Sequence, residues 1–153
     1  MTSRASATVL LSVKPRFATL LLDGTKTVEI RRGRVRLEDG ATCLLYSSSP
    51  ERALVGTVEV GTTETGHPSD IWDRWGSRTG LRRDEFDDYL RDCAMATAIV
   101  IREVQQLESP IPLDVLRNRR EGFVTPQSYR FVADEERRLL LAQAGDSHPS
   151  YSL

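Results

Sequence analysis

Lys26, Glu29 and Arg31 lie within one six-residue stretch and could act together on an anionic or hydrogen-bonding ligand. Lys26 follows Gly24-Thr25, a place where the backbone can present N–H groups and the side chain can reach into a cleft. Such a lysine can bind phosphate, or lose its proton and act as a base when desolvated. Arg31 offers a planar fork for phosphate or a base edge, and Glu29 can accept from a base amino group. If the pair instead sits on the surface, it is an ordinary ion pair worth about 0–1 kcal/mol.

The flanking residues show how these three are to be positioned. Leu11–Val13 reads as the end of a strand. Pro15 then suits a first helical position, where its missing N–H was unsatisfied anyway. Gly24 suits the residue just past the helix end. From Thr27 the period becomes two, placing Val28 and Ile30 on one face and Glu29 and Arg31 on the other. The expected unit is strand, short helix, glycine stop and strand, with the three chemical groups where the last strand begins.

Ser12-x-Lys14-Pro15 with Gly24-x-Lys26-x-x-Glu29-x-Arg31 resembles the signature of the ASCH domain, a β-barrel relative of the PUA RNA-binding fold. Tyr46-Ser47-Ser48-Ser49-Pro50, Ala53-Leu54-Val55-Gly56 and Thr125-Pro126-Gln127-Ser128-Tyr129-Arg130 resemble a bacterial subgroup whose members have been predicted to be transcriptional regulators. The resemblance spans residues 8–132 and implies a cleft for RNA, another single-stranded nucleic acid, or a nucleotide or nucleoside. Lys26, Glu29 and Arg31 would line it, and Lys14, Arg32, Arg34 and Arg36 would meet phosphates. Ser47, Gln127 and Tyr129 are further candidate contacts. No cofactor is implied.

Relatives that remove an acetyl group from modified cytidine use a lysine in this loop, which Lys26 matches, and a threonine where this chain has Glu29. The resemblance therefore supports that amidohydrolase only weakly, with Thr27 as a neighbouring hydroxyl and Glu59 or Glu64 as the later glutamate. Other relatives cut RNA. Either chemistry would make Lys26 and Glu29 the catalytic pair.

Charge is unevenly distributed. The 153 residues carry a net charge of −1, with 39% hydrophobic and 28% charged residues, the make-up of a soluble globular domain. Residues 1–36 hold eight Lys/Arg against only Asp23 and Glu29, whereas the remainder is acidic. That asymmetry suits one anion-binding face rather than a chain that coats nucleic acid. Cys43, Cys93, His67 and His148 show no metal-ligand spacing, so no metal site is expected. The apolar run Val9-Leu10-Leu11 is too short for a secretory signal and no stretch could span a membrane, so a cytoplasmic protein is expected.

The rest of the chain reads as an α+β domain, a small mixed barrel with short helices between strands and a C-terminal helix. Strands are expected at 41–46, 53–61 (with Gly56 a possible bulge), 96–104 and 128–132, and residues 61–68 read as a loop. Ser69 or Asp70 can cap a helix carrying Ile71, Trp72 and Trp75, and a second helix lies near 83–91. Trp72 and Trp75 suit either base stacking or core packing. Pro110 and Pro112 open a helical turn that ends in Arg117, Arg119 and Arg120. An amphipathic helix at 133–144 and a frayed tail at 145–153 complete a single domain. Leu139, Leu140 and Leu141 suit packing on this chain's own barrel better than a dimer face.

Overall fold

The computed structural model describes residues 7–142. Its elements in chain order are β1 (Thr8–Val13), α1 (Pro15–Leu22), β2 (Val28–Arg32), β3 (Thr42–Ser47), β4 (Ala53–Gly66), α2 (Pro68–Trp75), a 3-10 turn (Gly76–Arg78), α3 (Arg83–Tyr89), β5 (Ala96–Pro112), α4 (Leu113–Arg119), β6 (Tyr129–Val132) and α5 (Asp134–Leu140). All strands join one mixed sheet in the order β2-β5-β4-β3-β1-β6. β1 and β3 are parallel, and every other pairing is antiparallel.

The sheet is curled into a half-barrel. In a flat sheet β2 and β1 would be separated by four strand spacings, about 19 Å. Instead, Arg31 Nη2 on β2 donates to Ser12 O on β1 at 2.6 Å. β2 and β6 remain the free edges, so the barrel is open along one side among the described residues.

Alternation along each strand sends side chains to two surfaces. The inside of the curl holds Val9, Leu11, Val13, Cys43, Leu45, Val58, Val60, Ile99 and Ile101, closed at one end by Ala18 and Leu21 of α1. Outside, Leu10, Leu44 and Tyr46 pack beneath α4 and α5 through Leu116 and Leu140. On the other outer half, Val28, Ile30 and Ala98 pack beneath α2 and α3 through Ile71 and Phe86. Among the described residues no helix is long and apolar enough to cross a membrane.

The first helix starts with Pro15 at its first turn, and Gly24 follows it at φ +84. Several boundaries differ from expectation. β4 continues through 61–66, where a loop was expected, because Thr63, Glu64, Thr65 and Gly66 pair with Ile99, Ala98, Thr97 and Ala96 of β5. Once β5 supplies ladder partners, turn propensity does not decide the local structure. β5 likewise runs to Pro112, not 104. Pro110 is accommodated because it falls in the stretch of β5 between Gln106 and Ile111 left unpaired at the register shift against β4, and β2 is too short to pair there on the other side. α2 is capped by His67, whose Nδ1 accepts from Ser69 N, rather than by Ser69 or Asp70. Trp72 and Trp75 are half-buried against the α2–α3 core. α5 ends at Leu140, which is buried on the domain itself, and the expected tail at 145–153 lies outside the described residues.

Gly56 sits at the register shift in β4. A Cβ there would come 2.6 Å from Leu22 Cδ2 and 2.8 Å from Gln105 O, so its absence lets α1 and β5 close on β4. Gly56→Ala is expected to lower unfolding free energy by about 1–3 kcal/mol, read from the urea midpoint, because a backbone oxygen cannot yield as a side chain can. An unchanged midpoint would show that α1 shifts freely on the sheet.

Candidate functional site

Lys26, Glu29 and Arg31 come together, but inside the curl rather than at its surface. They are 2%, 6% and 9% exposed. Glu29 and Arg31 share the inner face of β2, as strand alternation requires, and Lys26 reaches them from the turn after α1. Lys26 Nζ lies 3.3 Å from Glu29 Oε1 and donates to Thr79 O at 2.5 Å. It also lies over the Phe17 ring, 5.2 Å from the centroid. Arg31 Nε lies 3.2 Å from Glu29 Oε2 but misses hydrogen-bond alignment, so that contact is a charge contact only.

Two cations therefore flank one carboxylate in a low-dielectric interior. Burial is the largest influence on Lys26 and pulls its pKa below the usual lysine range, and Glu29 opposes that shift without cancelling it. A buried ammonium loses hydration that one carboxylate only partly replaces. Lys26 is thus an amine able to exchange a proton closer to neutrality than an exposed lysine, which is what a general base or acid requires. Across the interior, burial pushes the Cys43 thiol up to about 12, with Glu29 adding to the effect.

The second and third sequence patches meet the first through Ser12. Its N–H donates to Ser128 O at 2.9 Å, and its hydroxyl donates to Pro126 O at 2.7 Å. Ser47 is fully buried on the inner face, and its Oγ has no hydrogen-bond partner. Tyr129 is half-buried against the inner core and meets Phe131 edge-on at 6.3 Å. Gln127 is exposed, as are Lys14, Arg34 and Arg36. None of these four extends the buried cluster. Arg32 faces the α2–α3 side, donating from Nε to Tyr89 O at 2.8 Å. The remaining candidates are engaged elsewhere: Thr27 Oγ1 accepts from Arg78 Nε, Glu64 accepts from Arg74 and Trp75, and Glu59 pairs with Arg102.

A second group was not assembled from the sequence. Burial raises the pKa of Tyr46, while Arg117 and Arg52 act in the opposite sense. This phenol therefore lies near two exposed guanidinia on the outer face, far apart in the chain and joined only by folding. Its neighbour across the β1–β3 ladder is Ser12. An open depression of about 540 Å³ lies on the same face over Thr42, Thr57, Glu59, Glu103 and Arg137, with more carboxylates than cations. Among the described residues no group of three or more His, Cys, Asp or Glu is placed to hold a metal ion.

Two tests follow from the buried cluster. The chain has only two lysines, Lys14 and Lys26, so carbon-13 lysine spectra of Lys14→Arg protein report Lys26 alone. Its signal is expected to titrate below 10.5, and a midpoint at or above 10.5 would mean that Glu29 outweighs burial. Because the folded state then binds fewer protons than the unfolded state, this group's contribution to stability rises with pH between the folded midpoint and 10.5. Separately, Glu29→Ala strands two buried cations and is expected to cost about 3–5 kcal/mol in urea unfolding.

A family model described as a domain of unknown function (DUF365) matches residues 7–117. An ASCH domain-containing ribonuclease of Zymomonas mobilis is 32% identical over 133 residues, which cover 86% of this chain and 88% of that protein. The crystal structure of ASCH from Zymomonas mobilis aligns with a TM-score of 0.82 and 30% identity, covering 87% of this chain and 92% of that one. Its serine-to-alanine and tyrosine-to-phenylalanine variants align with TM-scores of 0.83 and 0.82, at 28% and 29% identity, each covering 90% of this chain and 96% of its own. The N-terminal domain of McrB from Staphylothermus marinus shares the fold, with a TM-score of 0.57 at 11% identity, covering 87% of this chain and 92% of that one. With its fold, its three sequence patches and this likeness over most of both chains, the protein belongs to the ASCH domain family.

Proposed function

We propose that this protein binds single-stranded RNA and cleaves it. The observation that carries the reading is its likeness to an ASCH domain ribonuclease over nearly the whole of both chains. The geometry supports it chemically. RNA cleavage needs a group that takes a proton from a hydroxyl, a group that returns one to the leaving oxygen, and fixed positive charge for the phosphate. Lys26, its pKa lowered by burial, suits proton transfer. Arg31 supplies a guanidinium held against β1 by Ser12 O, and Glu29 orients both cations.

A second placement of the chemistry within the same reading has its own support. Tyr46 is a phenol near Arg52 and Arg117, and the Zymomonas relative has been crystallised with a tyrosine and a serine replaced. In that placement the phenol moves the proton, the two exposed guanidinia meet the phosphate, and the buried trio holds the scaffold.

A fluorogenic single-stranded RNA distinguishes the two. Lys26→Met is expected to lower kcat by about 10²–10⁴-fold, the range for loss of one acid–base group, with circular dichroism unchanged. Loss of that size in Tyr46→Phe, with Lys26→Met active, transfers the chemistry to Tyr46. Wild-type protein that leaves RNA intact, free of contaminating nuclease, overturns the cleavage reading.

A further inference from the structure

Most surface arginines around α2 and α3 are neutralised by a nearby carboxylate. Arg16 pairs with Glu85 at 2.5 Å, Arg74 with Glu64 at 3.0 Å, Arg82 with Asp84 at 3.0 Å, Arg83 with Asp87 at 3.0 Å, and Arg91 with Asp88. Arg32 and Arg78 differ. Both are exposed, and among the described residues neither has a carboxylate within ion-pair distance. Both are nevertheless held in place. Arg78 lies over the Trp75 ring, 5.3 Å from the centroid, and donates from Nε to Thr27 Oγ1 at 2.9 Å. Arg32 lies over the Tyr89 ring at 5.0 Å and donates from Nε to Tyr89 O at 2.8 Å.

In each case an aromatic ring and one hydrogen bond occupy Nε and one face of the guanidinium. Among the described residues the terminal nitrogens have no partner, so each cation is oriented before any ligand arrives. An arginine that only keeps the protein in solution needs no such fixing. One that grips a phosphate benefits from it, because less rotamer entropy is lost on binding.

The two sites mark the ends of β2. Arg78 is tied to Thr27, just before the strand, both through Nε and through Thr27 N donating to Arg78 O at 2.9 Å. Arg32 is the last residue of the strand. The five steps between Thr27 and Arg32 span about 16 Å, too far for both guanidinia to hold one phosphate. Between them runs a sheet edge paired on one side only, whose inner face carries Glu29 and Arg31. Arg78 is also continuous with the buried cluster, because the next residue, Thr79, accepts from Lys26.

We infer that Arg78 and Arg32 hold two different phosphates of one RNA strand, which runs along the free edge of β2 past the mouth of the half-barrel. This deepens the RNA reading by adding a backbone track that lies outside the buried trio. Recognition there is of backbone charge and not of base sequence, since phosphate contacts carry no sequence information directly. Single-stranded RNA suits this edge because its backbone can bend to follow a short, twisted strand.

The probe is a fluorescein-labelled 2′-O-methyl RNA single strand, which lacks the hydroxyl needed for cleavage. Its affinity is measured by anisotropy across a salt series. Each lost phosphate contact on a single strand lowers the slope of log affinity against log salt by about 0.7. Arg78→Ala and Arg32→Ala are each expected to lower it by that amount, and the double variant by about 1.4. Arg78→Lys retains the charge and should retain the slope. Arg83→Ala, which removes a cation already paired with Asp87, should leave it unchanged.

Variants that bind with the wild-type slope overturn the track, as does wild-type protein that does not bind the probe. An equal loss of slope in Arg83→Ala also overturns it, since general surface charge would then explain the effect. Cleavage of unmodified RNA is scored separately. A protein with the expected slopes but no cleavage loses the ribonuclease reading and keeps the track.

Discussion

A carboxylate held between two buried cations determines how this half-barrel closes. Glu29 contacts Lys26 on one side and Arg31 on the other, and Arg31 continues to the Ser12 carbonyl on a strand that the sheet order places four positions away. The hydrogen-bonded ladder does not join β2 to β1, so the curl depends on that side-chain bridge together with the apolar interior. Buried ion pairs seldom add much net stability, because desolvation offsets the attraction. Their strength is specificity: a flattened sheet would keep the local Glu29 contacts but take the Arg31 guanidinium away from its Ser12 carbonyl partner. The Lys26–Thr79 bond extends the same constraint to the α2–α3 layer, so the inner charges set the position of the outer helices as well.

The two outer surfaces then take different roles. One half of the sheet is sealed by α4 and α5, and the other by α2 and α3. β4 and β5 are long enough to belong to both halves, and their register shifts let one ladder turn the corner between them. Gly56 stands at that corner, where no side chain fits beneath α1 and β5. Tyr46 lies on the α4 side near Arg52 and Arg117, whereas Arg32 and Arg78 flank β2 on the α2–α3 side. Positive charge is thus displayed at two places on either side of a buried polar centre. A protein with a net charge of −1 can present basic surface in this way without being basic overall.

Much of the site was legible from local pattern. Pro15 and Gly24 delimit α1, and alternation placed Glu29 and Arg31 on one face opposite Val28 and Ile30. These features depend on residues within a few positions of one another, for which stereochemistry suffices. The ends of β4 and β5 were less legible. Thr62 to Gly66 resembles a loop until β5 lies beside it, and Pro110 resembles a helix start until the neighbouring edge is seen to be empty. Ladder partners are remote in sequence, so local propensity could not reveal them.

The amino-acid sequence by itself determined that Glu29 and Arg31 would share one strand face with Lys26 just before the strand, since spacing and alternation admit little else. Tertiary structure decided that the trio faces inward, because burial depends on which strands curl around it. It also decided that Tyr46 lies near Arg52 and Arg117, and that among the described residues Arg78 and Arg32 have no carboxylate partner while the arginines of α2 and α3 find one. Charge pairing and desolvation are properties of distance in space, and most of those distances connect residues far apart along the chain.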